Sequence, residues 1–454
     1  MKILLARANN ENVYALYKPI ETDRIMPPLP LMYLESFLDN AGHEVKIWDG
    51  FIDKKSFQET LDEFKPGIVG AGGTTPDSNY SCELFKETKE YSKDILTVAG
   101  GPHFQMFTPD DYENIDYIVK GDGEIALCYL ADGNIPENKV VEMAPTEELY
   151  NTPPIMWDRI KDWPYNFAFE GRLEPTATML TSRGCPYKCI FCQNSKNYRK
   201  VRFRSIPNVI ADVEAVVKKG IKHIYFADET FSLDRDRTIE LCRAIKEYNI
   251  KWKCLTRADC IDYELVSEMV KAGCVGISNG IESGNEQILK NTKKGVSKEQ
   301  IVKSYEILNQ FEGLEKRASF IIGHPYETEE NVNETINFAL SLPIDIAFFN
   351  IMTPYPSCIV YDMALKGEGI WLVNSDWNSF RRAGDCAIRT EELSPEDLIR
   401  LQKKAQMRFF TQPRVIISHL RWLMDTGDKV FCNRPIVEAL EWKDTYIRKK
   451  EKKT

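Results

Sequence analysis

Along the first 130 or so residues, short apolar runs alternate with stretches whose apolar positions recur every three or four residues. "KILLA" reads as a strand, Leu34, Phe37, Leu38 and Ala41 predict one face of a helix, and "HEVKIWD" predicts a second strand. The cycle repeats through "GIVGAGG", "ILTVAGG" and "DYIVKGDGE", with a helix near Ser78 to Tyr91 between them. Successive βα units of this kind predict an open, doubly wound, Rossmann-like (flavodoxin-type) parallel sheet. Its ligand edge lies beyond the carboxyl ends of the strands.

Residues 132 to 175 break the rhythm with "GNIPENK", "YNTPPIMW" and "DWPYNF", a Pro- and Trp-rich pattern that predicts a packed connector. A new series of strands then begins: "TATMLTS", "HIYFAD", "KWKCLTRAD", "CVGISNG", "ASFIIG" and "IAFFNIM". Helical patterns lie between them, such as Val209, Ile210, Val213, Val216 and Val217, closed by Gly220. Six βα units predict a partial (β/α)6 barrel with its functional groups at the carboxyl ends of the strands. The expected division is residues 1–135, a linker 136–175, a barrel 176–360 and a mostly helical region 361–454.

In that last region "SPEDLIRLQKKAQMRFF" predicts an amphipathic helix opened by Ser394 with Glu396 two places on, followed after Pro413 by "RVIISHLRWLM". Its apolar face beside Arg414 and Arg421 could rest on a membrane surface as a peripheral contact, but packing against the barrel is the preferred reading. "IRKKEKK" reads as a solvated tail, and Cys432 has no evident role.

Composition narrows the function. With 59 basic and 68 acidic residues the net charge is −9, which argues against nucleic acid as a partner. Nothing approaches the roughly 20 apolar residues of a membrane span, and "MKILLARANN" turns polar too early for a signal peptide. A cytoplasmic location is expected. Twelve cysteines without a dense even framework suit reduced thiols.

Glycines cluster at the predicted ligand edge: Gly70, Gly72 and Gly73; Gly100 and Gly101, followed by Pro102 and His103; Gly121 and Gly123. Such glycines let backbone approach a ligand, although strand-end turns need them too. The loop after the first strand, "RANNENVYALYKP", has no G-x-G-x-x-G, so a dinucleotide is disfavoured. With "PPLPLMYLESFLDNAGHEVKIWDG", "VAGGPHF" and "YIVKGDGE", the segment resembles the cobalamin-binding domain at the front of one class of radical S-adenosylmethionine enzymes. It lacks that domain's Asp-x-His-x-x-Gly segment, its first histidine being His43. The resemblance therefore implies cobalamin held by the glycine loops, Pro102 and His103 without a histidine under cobalt, or a domain that has lost the cofactor. His103 would lie near the nucleotide tail; the other reading is a histidine hydrogen-bonded to a neighbouring turn.

"SRGCPYKCIFCQNS" places Cys185, Cys189 and Cys192 directly after the first barrel strand. Three thiols so spaced can converge on one inorganic cluster and leave a fourth iron open, whereas a structural zinc would want a fourth Cys or His nearby. "TSRGCPYKCIFC", with Phe191 before the last cysteine, resembles the CxxxCxxC signature of the radical S-adenosylmethionine superfamily. The likeness continues through "FADETF", "GISNGIESGNEQILK", "FIIGHPYETEE" and "MTPYPS".

The resemblance implies a [4Fe-4S] cluster on the three cysteines, with S-adenosylmethionine (SAM) chelating the open iron. Asp228 and Glu229 are expected to meet the ammonium of its methionine moiety, although an isolated acidic pair is more often a helix cap. Glu282 and Ser283 are expected at the ribose, Arg257 at a carboxylate, and Ile321 and Gly323 at the adenine. Tyr326 and Tyr355 are guessed to face the pocket.

The implied activity is methylation of an unactivated carbon or phosphorus of a small-molecule or lipid substrate. An external low-potential electron donor such as flavodoxin or ferredoxin is implied with it. The same plan also serves cyclases, dehydratases and C–C coupling enzymes. A non-catalytic corrinoid or iron-sulfur module is the third reading, although storage alone has no use for a nucleoside pocket.

Overall fold

The computed structural model describes residues 1–9, 25–143, 152–169, 172–196, 200–381 and 385–418. The first sheet holds β1 (Lys2–Arg7), β2 (Glu44–Asp49), β3 (Ile68–Gly72), β4 (Leu96–Gly100), β5 (Tyr117–Lys120) and β6 (Val140–Glu142). All pair in parallel in the order β2-β1-β3-β4-β5-β6, the doubly wound arrangement. Helices α1 (Leu29–Asn40), α2 (Phe57–Phe64), α3 (Ser78–Tyr91) and α4 (Gly123–Ala131) connect them. β6, from the expected connector, extends the sheet at its far edge.

Helix α1 departs from the predicted single stripe. Leu38, with Leu34 beside it, packs into the first sheet's core, while Leu29, Met32 and Tyr33 join the large core of the second unit. Ala41 falls past the helix end and is exposed. A helix pressed between two sheets buries two faces, and a one-sided periodicity cannot anticipate that.

The connector supplies β7 (Asn166–Phe169), which pairs antiparallel with β8 (Arg172–Met179). β9 (Ser182–Arg183) and β10 (Arg202–Phe203) form a short two-stranded pair that flanks the cysteine loop. The large sheet continues through β11 (His223–Phe226), β12 (Lys251–Thr256), β13 (Cys274–Glu282), β14 (Glu315–Ile322) and β15 (Ile346–Ile351). From β8 to β15 the strands are parallel neighbours in chain order, as a curled partial barrel requires. Helices α5 (Ile206–Lys218), α6 (Arg235–Ile245), α7 (Tyr263–Lys271), α8 (Glu286–Asn291), α9 (Lys298–Leu308), α10 (Glu329–Ser341) and α11 (Ile359–Lys366) cover the outside.

Burial alternates along these strands. Outward residues such as Ile224, Trp252, Ile277, Phe320 and Phe349 are fully or almost fully buried under the helices. Burying such a side chain is worth roughly 1.5–3 kcal/mol. Inward residues Tyr225, Leu255, Ser278, Ser319, Ile321, Phe348 and Asn350 stay only half-buried. The barrel is therefore hollow, with hydroxyl and amide groups on its inner wall.

After the barrel come β16 (Ile370–Leu372) and β17 (Ile388–Thr390), an antiparallel pair, and α12 (Pro395–Phe410). Two strands thus stand in a region expected to be mostly helical. Ser394 caps α12 in a reciprocal box with Asp397, not with Glu396, because the third helical residue is the one that can reach back. Leu398, Leu401, Ala405 and Phe409 of α12 are buried in the barrel's core cluster, and Gln402 donates to the Phe349 carbonyl. Arg414, on a helix spanning 413–418, donates to the Ile344 carbonyl. Beside it Val415 is buried in the barrel's core cluster, whereas Ile417 is exposed, and the rest of that segment lies outside the described residues. Arg421, Cys432 and the basic tail lie outside the described residues.

Candidate functional site

The loop carrying Cys185, Cys189 and Cys192 emerges where β8 ends and is held from three sides. Ile190 N–H donates to the Thr292 carbonyl at 3.0 Å, and the Ile190 carbonyl accepts from Val360 N–H at 3.2 Å. Ser195 Oγ accepts from Ile359 N–H at 3.0 Å. Within the loop, Cys192 N–H closes a tight turn onto the Cys189 carbonyl at 3.0 Å. Gly184 supplies a positive φ of 95° just before the first thiol, where a side chain would strain the entry.

The three thiols share one electrostatic neighbourhood. Burial pushes the Cys192 thiol up to about 11, and the neighbouring Cys189 and Cys185 act in the same sense. Burial also raises Cys189, while the cations of Lys294 and Arg257 oppose it. The Arg257 guanidinium lies 3.4 Å from the centre of the Tyr187 ring, with Nη1 4.0 Å from Cys189 Sγ. Three soft donors on one braced loop, with two cations to offset thiolate charge, suit a thiolate-bound iron-sulfur cluster.

The residues expected around SAM separate into two groups. Asp228 is fully buried, and its carboxylate accepts from Thr181 N–H, Thr181 Oγ1 and Ser182 Oγ. It braces the entry to the cysteine loop, so its expected contact with a ligand ammonium is corrected. An acid within reach of two hydroxyls and an amide on the neighbouring strand is consumed by them. Glu229 beside it is exposed at the strand end. Ser283 is likewise internal, pairing with Thr335 Oγ1 at 3.1 Å and accepting from Asn285 N–H, so it fastens α8 to α10 instead of offering an acceptor to a ribose.

Glu282 sits at a positive φ of 70°, rare for a non-glycine residue, and its Oε1 accepts from Lys294 Nζ at 2.9 Å. Arg257 holds the Asp259 carboxylate at 2.9 and 3.0 Å and donates to the Lys294 carbonyl at 2.8 Å. Ile321 faces the hollow interior, and Gly323, with φ of 93°, donates its N–H to Glu327. Phe191 lies edge-on to His324, centroids 6.1 Å apart. Tyr355 is half-buried, whereas Tyr326 is 53% exposed and its ring lies over Gly369.

The glycine edge also divides. A Cβ on Gly72 would meet the Gly100 carbonyl oxygen at 2.1 Å, and one on Gly101, at φ of 87°, the Gly73 nitrogen at 3.0 Å. Gly73 closes on Asp77, Gly123 on Leu34 and Gly70 on Leu5, so these glycines serve close packing. A Cβ on Gly100 would meet nothing within 4 Å. Gly121, at φ of 83°, has only the Met143 carbonyl near, at 3.8 Å. Gly100 thus leaves open space beside the backbone at the end of β4, which is compatible with close approach of a cofactor there.

Pro102 is exposed and His103 fully buried. The His103 ring nitrogens pair with Thr75 Oγ1 at 3.2 Å and Tyr112 Oη at 2.8 Å, and Trp377 covers the ring edge-on at 5.1 Å. Burial lowers its pKa to about 4, so the ring is neutral. With both nitrogens committed, it matches the turn-bound reading and presents no nitrogen to a cofactor.

Sequence reasoning missed the groups that join the two edges. Asp122, between Gly121 and Gly123, accepts from Arg202 of β10, and Glu124 pairs with Arg183 of β9 at 2.6 Å. Arg183 also lies over the Tyr33 ring of α1, 4.8 Å from its centre. The only available signal was an acid between two glycines and an arginine just before the first cysteine's glycine.

The radical SAM superfamily model matches residues 179–339 and the B12 binding domain model matches residues 20–131. Over 448 residues the chain is 31% identical to an uncharacterized methyltransferase of Pyrococcus horikoshii, covering 92% of this chain and 95% of that protein. It is 28% identical over 367 residues to the anaerobic magnesium-protoporphyrin IX monomethyl ester cyclase of Rubrivivax gelatinosus, covering 73% of this chain and 65% of that one. Among solved structures, the radical S-adenosylmethionine methyltransferase TsrM of Kitasatospora setae superposes with a TM-score of 0.71 at 19% identity, over 99% of both chains. The chain belongs to the cobalamin-binding class of the radical S-adenosylmethionine enzymes.

Proposed function

We propose that this enzyme methylates an unactivated carbon or phosphorus of a small-molecule or lipid substrate lodged between the glycine edge and the barrel mouth. The carrying observation is the pair of ionic links, Asp122–Arg202 and Glu124–Arg183, that lock the open glycine edge to the strands flanking the cysteine loop. Methyl transfer from a corrinoid on one edge to a substrate at the other needs the two edges held face to face. The full-length likeness to a methyltransferase supports the same reading.

When bound, the cluster supplies the electron that cleaves SAM reductively and the corrinoid carries the methyl group. Cys185, Cys189 and Cys192 would hold the cluster, with Arg257 and Lys294 offsetting thiolate charge. Glu229 and Glu282 offer acceptors to SAM at the strand ends, and Ile321 and Gly323 line the side expected for adenine. Gly100 and Gly121 would let the corrinoid approach backbone. Holding these parties in one water-poor line is the protein's contribution. The electron would come from an external low-potential donor such as flavodoxin or ferredoxin.

The similarity to a cyclase keeps a second reading open, in which the radical step is retained and methylation is not. Reconstituted enzyme, reductant, a cell extract and SAM labelled in its methyl group separate the two. Label in an extract component alongside 5′-deoxyadenosine supports methyl transfer. Deoxyadenosine and a changed extract component without label would select cyclisation or elimination.

A further inference from the structure

The barrel interior below the site carries a charge arrangement that the cofactors leave unused. Arg317 lies in β14, six residues before Gly323, in register with Ser278 of β13 and Ile346 of β15. Its side chain is 10% exposed, and its Nε donates to Glu315 Oε1. The same oxygen accepts from Lys253 Nζ at 2.8 Å. One carboxylate thus serves two cations, both almost fully buried.

The two terminal nitrogens of Arg317 have no hydrogen-bond acceptor among the described residues. They lie in the hollow interior, where the guanidinium sits 5.7 Å from the centre of the Phe167 ring and its charge acts on the Tyr225 phenol. Phe167, on the edge strand β7, lies tilted against Tyr225 with ring centroids 5.0 Å apart. Ser278 stands level with Arg317 on the neighbouring strand, and Ser319 and Asn350 lie on the wall above it. A guanidinium that turns its planar fork to the interior, beside a phenol and near hydroxyls, is complementary to a planar oxyanion. A carboxylate in the interior would accept from both nitrogens at once.

We propose that Arg317 is the floor of a substrate subsite inside the barrel, which takes the carboxylate of an organic acid whose other end reaches the strand-end site. The inference rests on the proposed reaction only for the reacting end; the anion subsite stands on Arg317, Glu315, Lys253, Tyr225 and Phe167. Arg317 is thereby a specificity residue and touches neither the cluster loop nor the glycine edge.

Crystals of the holoenzyme soaked with 4-bromobenzoate test it, the bromine being located by anomalous scattering. The expected result is bromobenzoate in the barrel with its carboxylate on Arg317, and affinity in solution that falls tenfold or more, on the order expected for a charged bidentate contact, in both Arg317→Met and Arg317→Lys. Lysine keeps the charge and loses the fork, so its loss separates geometry from charge. An interior empty of bromobenzoate, or occupied only by bromide or phosphate in parallel soaks, overturns the organic-acid subsite. Reductive cleavage of SAM by wild-type protein, measured alongside, reports separately on the reaction.

Discussion

Asp122, flanked by Gly121 and Gly123 at the edge of the first sheet, accepts a hydrogen bond from Arg202, which flanks the cysteine loop of the second. Both side chains are at most 10% exposed. Asp122 also faces Arg183 at 3.9 Å, so removing Arg202 should cost less than the roughly 3–5 kcal/mol of a buried charge left alone. Arg202→Met is therefore expected to lower the thermal midpoint measurably and to weaken corrinoid binding while reductive SAM cleavage continues. Calorimetry and a corrinoid titration check this; unchanged values in both would mean that the link does not couple the edges.

Gly100 and Gly101 are adjacent but predict opposite phenotypes. Gly100→Val has open space for its side chain, so the fold should keep its melting temperature while corrinoid affinity falls. Gly101→Val meets Gly73 at a positive φ and should lose roughly 1–3 kcal/mol of stability. Gly101 is thus the poorer probe of binding. Equal corrinoid affinity in wild type and Gly100→Val would remove Gly100 from the cofactor edge.

Cys189→Ala should abolish both the visible absorption of the cluster and deoxyadenosine formation, because no fourth thiol stands in the loop to replace it. A variant that still cleaves SAM with wild-type rates would displace the site from this loop.

Glu327 is 1% exposed and accepts from Gly323 and His324 N–H through one oxygen only. Burial pushes its carboxyl up to about 8. A folded pKa above the unfolded one means that the native state binds the extra proton. The stabilisation is thus present below the unfolded value near 4.5 and is lost as pH rises towards 8. Glu327→Gln should remove this decline, so its stability relative to wild type is expected to improve from pH 5 to pH 8. His103 and His324, both lowered to about 4, run in the other sense between pH 4 and 6.5 and cancel in the comparison. A difference between wild type and Glu327→Gln that does not vary with pH would place the carboxyl in the ordinary range.

Much of the architecture was legible because most strands of both sheets are short apolar runs bounded by glycine or a polar turn. Helix α3 matched its predicted limits of Ser78 and Tyr91. The connector was opaque for a physical reason: β6 and β7 are short edge strands whose partners, not their own composition, decide them. The cysteine loop was plain in the sequence because its three thiols fall within eight residues directly after a strand. Asp228 and Ser283 were misread because a polar residue at a strand end looks the same whether it meets a ligand or a neighbouring turn. Only the positions of Thr181, Ser182 and Thr335 decide that. The ionic links between the two units, some 60–80 residues apart in sequence, leave no local pattern at all.

The most direct test of the central claim, that one chain holds both cofactors across a braced junction, is anaerobic reconstitution with iron, sulfide and hydroxocobalamin. Iron, sulfide and cobalt are then counted on the same monodisperse sample. The account predicts about four irons and about one cobalt per chain, with the cobalt falling in Gly100→Val and the iron unchanged. Four irons with no cobalt in the wild-type protein would contradict it and leave a radical enzyme without its methyl carrier.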